Sequence, residues 1–145
     1  MQKMIFLYLM VSMNAYADTI DHYMNIANNI PKMEIKADEQ SQSWARSART
    51  ILILTSESIA ETLVLSNNSG YQQGAPLFCL PSGELLSAAA LNDLIQQTYH
   101  EISSQQSDKD KMTVSQVALM GLTKKYPCQQ KSMPTKQVAM TGAWQ

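Results

Sequence analysis

The stretch from Trp44 to Val64 constrains the fold most. Apolar or small residues recur there at steps of three and four: Trp44, Ala48, Ile51, Leu52, Thr55, Ile59, Leu63 and Val64. That period belongs to an α-helix with one covered stripe. The spacing predicts a helix that starts near Asp38 or Ser41 and runs to about Leu65. Its middle, Ile51-Leu52-Ile53-Leu54, is apolar on every side, which suits a central helix or the helix of a dimer. A β-strand through the isoleucine-rich run is the competing reading.

Three further segments carry helical signals. Ile20, Tyr23, Met24, Ile26 and Ala27 form a short amphipathic pattern that Pro31 is expected to stop, leaving residues 31–40 as a link. Ser87 is placed to cap a helix whose face is Leu91, Leu94, Ile95, Thr98, Tyr99 and Ile102. Ser103 to Lys111 is a polar turn. Thr113 and Gln116 then form a capping box for a last helix over Val114 to about Lys125, which Pro127 ends. With 145 residues and 45% apolar content, the chain suits one small all-α domain, a bundle of about four helices.

The first seventeen residues read as an address. Lys3 precedes a mostly apolar run from Met4 to Met13, and Ala15-Tyr16-Ala17 follows as a small-residue cleavage site. That order is a secretory signal peptide, with cleavage expected after Ala17. A retained anchor or a buried first helix is the alternative. Export places the folded chain, residues 18–128 with a polar tail over 129–145, in an oxidising compartment and off the membrane. Two cysteines in an exported small domain pair by default, so Cys79 and Cys128 are expected to form a disulfide that staples the bundle. A nucleophilic thiol or a metal pair is the alternative, with only His22 and His100 available to serve either.

Chemistry-bearing constellations are sparse. Glu57 and Glu61 share a helical face, and a solvated face is the simpler reading than acid–base work. His22 with Met24 is a weak copper pattern, and Asp108 with Asp110 suits a turn. No catalytic set, cofactor or metal is predicted. A net charge of −1 without a basic block disfavours nucleic acid as a partner. Residues 66–78 form a thirteen-residue polar stretch, long for a plain connection, which makes it either a functional loop or a solvated linker.

The element Phe78-Cys79-Leu80-Pro81-Ser82-Gly83, a helix, a polar turn, Thr113, and a helix closing in Lys125-Tyr126-Pro127-Cys128 resembles the Rap/Tai-type immunity proteins of type VI secretion systems. Their recurring core is an F-C-x-P element, an amphipathic helix, a second helix with an apolar-small face, and an aromatic-Pro-Cys ending. The resemblance spans residues 78–128, whereas the further cysteines that such proteins often carry in the N-terminal half are absent here. It implies a periplasmic inhibitor that binds a secreted toxin, commonly a peptidoglycan amidase, and blocks its cleft without chemistry of its own. Such proteins are often dimers, so a homodimer through Ile51 to Leu54 is expected. The 66–78 stretch then becomes the candidate toxin-binding loop, through Asn67, Asn68, Ser69, Tyr71, Gln72 and Gln73. An acid-stress chaperone, an inhibitor of another envelope hydrolase such as a lysozyme, and an enzyme are the competing functions.

Overall fold

Local capping decides where all four α-helices begin. The computed structural model describes residues 18–102 and 108–128. The predicted leader over 1–17, the tail over 129–145 and part of the polar turn after Ile102 lie outside the described residues. Helix α1 spans Ile20–Glu34 and follows Thr19 as its N-cap. Helix α2 spans Glu39–Gln72, and the Asp38 carboxylate accepts the Ser41 amide at 2.8 Å. That bond holds the Asp38 carboxyl below its ordinary pKa. Helix α3 spans Ala88–Glu101 behind Ser87, and α4 spans Val114–Lys125 behind the Thr113–Gln116 capping box. A single 3₁₀ turn, Lys109–Lys111, leads into α4. The described residues are all-helical, with no strand beyond one isolated bridge between Thr19 and Thr113. None of their helices is long and apolar enough to cross a membrane.

Two helix ends differ from expectation. Helix α1 does not stop at Pro31 but runs through it to Glu34. Proline removes one hydrogen bond from the helix's last stretch, and the buried Ile30 and core-packed Met33 on either side of it hold the chain helical. Helix α2 does not stop near Leu65 but continues for seven more residues. Its terminator is Gly74, whose φ is 75°. The Ala75 amide donates to the Gly70 carbonyl at 2.8 Å, and the Gly74 amide donates to that of Tyr71 at 3.2 Å. This pair of bonds is the Schellman ending, which calls for glycine at the left-handed position.

The 34-residue α2 is about 51 Å long and organises the rest. One of its faces, Ala45, Ala48, Leu52, Ser56, Ala60, Leu63 and Asn67, is buried under α1 and α3. Tyr23 of α1 inserts its phenol between helices, donating to Asn92 Oδ1 at 2.6 Å with Ser56 Oγ at 2.9 Å. Burial pushes that phenol above its ordinary pKa. Among the described residues, no buried side-chain nitrogen or oxygen lacks a partner.

Helices α3 and α4 approach closely at Gly121. A Cβ there would stand 2.4 Å from Thr98 Oγ1 and 3.0 Å from Leu94 Cγ. Gly121→Ala is therefore expected to destabilise by about 2 kcal/mol, the overpacking outweighing alanine's gain of about 1 kcal/mol in helix propensity. Adding Thr98→Ala removes the nearer obstacle. Urea unfolding of the two variants should show the double variant more stable than Gly121→Ala alone.

Candidate functional site

The C-terminal end of α2 and the chain that turns back from it form a braced tip with an exposed outer surface. Its central residue is Asn67, buried although it lies in a polar run. The Asn67 side chain reaches eleven residues ahead. Nδ2 donates to the Phe78 carbonyl at 2.8 Å, while Oδ1 accepts the Leu77 amide at 2.7 Å and the Phe78 amide at 3.1 Å. The Tyr71 hydroxyl donates to the same Phe78 carbonyl at 3.3 Å. Phe78 itself is fully buried in the core. A side chain at Gly70 would meet the returning chain, since a Cβ would lie 2.8 Å from the Ala75 oxygen. Glycine at this position permits the turn to fold down on the helix end.

The disulfide fastens this tip to the rest of the fold. Cys79 and Cys128 are bonded, with Cα atoms 4.9 Å apart. Beside them the Cys79 amide donates to the Tyr126 carbonyl at 2.8 Å, and the Tyr126 hydroxyl bonds the Glu84 carboxylate. The bridge thus ties the exit of α4 to the tip of α2. Cys79 lies seven residues beyond the end of α2 and nine before the start of α3.

The six candidate contact residues separate under this geometry. The predicted thirteen-residue loop over 66–78 is a correction: residues 66–72 are the last two turns of α2, and only the short return from Gln73 is irregular. Asn67 points inward and serves as the clamp. Asn68, Ser69, Tyr71, Gln72 and Gln73 are exposed on the tip, and Leu77 joins them as an exposed apolar residue that sequence reasoning missed. No charged residue lies between Ser66 and Phe78. The tip therefore offers an aromatic ring, a leucine and neutral amides on a backbone held at several points.

Other clusters have structural explanations. Glu101 is held below its ordinary pKa by Lys124, whose Nζ lies 2.7 Å from Oε2, and by Gln97. The Tyr99 phenol is raised by its bond to Asp110. His22 Nδ1 lies 2.8 Å from Asp18 Oδ1. Glu57 and Glu61 are exposed along a groove between α2 and residues 85–88. Among the described residues, no group of three or more His, Cys, Asp or Glu is placed to hold a metal ion. Comparison with family models, curated proteins and solved structures finds no match for the chain.

Proposed function

We propose that this protein is a periplasmic immunity protein that binds a cognate type VI secretion toxin, a peptidoglycan amidase, and inhibits it by occluding its active-site cleft. The observation that carries this reading is the α2 tip. Its outer residues are exposed, it is free of charge, and it is braced by Asn67, Gly74 and the disulfide. A segment already ordered loses little entropy on binding, and neutral amides enter a cleft without the desolvation cost of charges. Tyr71 supplies aromatic area with a polar end, the composition of a binding anchor. The resemblance of Phe78-Cys79-Leu80-Pro81 and Tyr126-Pro127-Cys128 to the Rap/Tai-type pattern supports the same reading, because those elements frame this tip. Inhibition requires no catalytic group of the inhibitor.

The test is a pull-down with the disulfide-bonded chain, residues 18–145, against the secreted toxins of the encoding organism and its relatives. Capture of a cell-wall hydrolase with loss of its activity at equimolar protein is the expected result. Replacing Tyr71, Gln72 and Gln73 together by alanine should then restore hydrolase activity while leaving the thermal midpoint within a few degrees, since all three are exposed. Failure to capture a hydrolase, or retention of acid-denatured envelope proteins in its place, would overturn the immunity reading and favour a chaperone.

A further inference from the structure

Helices α3 and α4 border a cavity of about 280 Å³ that shares no residue with the α2 tip. That volume is at the small end of the range for ligand pockets. Its floor is Leu94 and the bare backbone of Gly121, and its rim carries Glu101, Lys124 and Lys125. Thr98 lies between floor and rim. It is only 5% exposed, and its Oγ1 faces Gly121, 2.4 Å from where a Cβ there would stand. A helical threonine commonly turns its hydroxyl back to the carbonyl four residues earlier, as Thr50 and Thr62 do. The Thr98 hydroxyl has no hydrogen-bond partner among the described residues. No fully enclosed side-chain oxygen among them is unpaired, so this hydroxyl opens onto the cavity that it lines. An ion pair bounds the cavity on one side. Lys124 Nζ lies 2.7 Å from Glu101 Oε2, and Gln97 Nε2 donates to Glu101 Oε1 at 2.9 Å. A second hollow of about 170 Å³, beside Met120 and Ile102, reaches the same threonine and the same ion pair. The pair is a clasp across one groove, and both of its members are exposed.

From this we infer that the groove binds a free α-amino acid with a small apolar side chain. Its ammonium pairs with Glu101, and its carboxylate pairs with Lys124 and accepts from the Thr98 hydroxyl. Charge balance selects a zwitterion. A ligand entering between Glu101 and Lys124 parts them. A simple anion satisfies the lysine and leaves the carboxylate without its partner, and a simple cation does the reverse. An ammonium and a carboxylate on one carbon replace both halves of the pair at once, each by a charge-assisted bond. Lys125 gives the rim one positive charge in excess, which disfavours a basic side chain on the ligand. The ligand's side chain lies over Leu94 and Gly121, where a polar group would lose water for an apolar floor, so a short aliphatic one fits. The site is independent of the inhibitory reading and stands or falls separately from it.

Calorimetric titration of the disulfide-bonded chain, without any toxin, with L-valine and with D-valine is expected to show one enantiomer or both binding with a dissociation constant at or below about 1 mM. Isobutyrate keeps the carboxylate and isobutylamine keeps the ammonium, and each should bind at least about tenfold more weakly than valine. Lys124→Gln, at an exposed position, and Thr98→Val, which keeps the shape and removes the hydroxyl, should each weaken valine binding by about tenfold. Lys124→Gln should also keep the circular dichroism spectrum of the parent. In nuclear magnetic resonance spectra, bound valine should shift the amides of Thr98, Gly121 and Lys124 most. No binding of either enantiomer at about 20 mM, equal binding of isobutyrate, an undiminished affinity of Lys124→Gln, or the largest shifts elsewhere would overturn the inference.

Discussion

Replacing both Cys79 and Cys128 by alanine is expected to lower the stability of the fold by about 4 kcal/mol. The two residues are 49 apart in sequence, and closing a loop of that length removes roughly this much free energy from the unfolded chain in the chain-entropy account. For a helical domain of this size the loss lowers the thermal midpoint on the order of 15 °C. The effect is large because the fold depends heavily on one element. Helices α1 and α3 both pack on α2, and the bridge is the covalent link between the end of α2 and the end of α4. Urea unfolding of the parent and the double-alanine variant, both at neutral pH, measures the difference directly. A loss below about 1 kcal/mol would mean that the Cys79–Tyr126 backbone bond and the burial of Phe78 hold the tip without the bridge. Hydrogen exchange adds a local test: the Cys79 amide should lose protection by more than the global change, since it sits where the two segments part.

What could be read from the sequence follows the range of the interaction involved. Asp38, Ser87 and the Thr113–Gln116 box each bond an amide three residues away, so the residue types announce the helix start. The cysteine pair was legible because each candidate had one partner. Proline at position 31 misled, because its cost is local while the burial of Ile30 that outweighs it depends on α2. The end of α2 misled for a related reason. Asn67, Asn68, Ser69 and Gly70 look like a turn by composition, yet the left-handed position lies at Gly74, with Pro76 two residues beyond it. Glycine followed at that distance by proline was the available signal for the true ending. The outside of α2 was only half legible. Ile51 to Leu54 reads as apolar all round, but which of the four the fold covers depends on where α1 and α3 lie. The structure buries Leu52 and leaves Ile51 and Leu54 exposed.

The residue that sequence reasoning placed among the binding candidates, and the structure places beneath them, yields the other large effect. Asn67→Ala is expected to destabilise by about 3 kcal/mol. The change strips the acceptor from the Leu77 and Phe78 amides and one donor from the Phe78 carbonyl, and Phe78 is fully buried. Leaving buried amides without partners costs about 1–3 kcal/mol each. Alanine's better helix propensity recovers less than about 1 kcal/mol of this. Tyr71→Phe provides the contrast. It removes only the longer bond to the Phe78 carbonyl, which Asn67 continues to satisfy, so its cost should stay below about 1 kcal/mol. Urea midpoints of the two variants separate these expectations. The same pair separates rigidity from contact in the proposed inhibition. Asn67 cannot touch a toxin from its buried position, so weaker inhibition by Asn67→Ala at a temperature where it remains folded would report the loss of a preordered tip. Equal inhibition by the parent and Asn67→Ala, alongside the predicted loss of stability, would show that the tip need not be braced to act and would remove the main structural support for occlusion by a preordered tip.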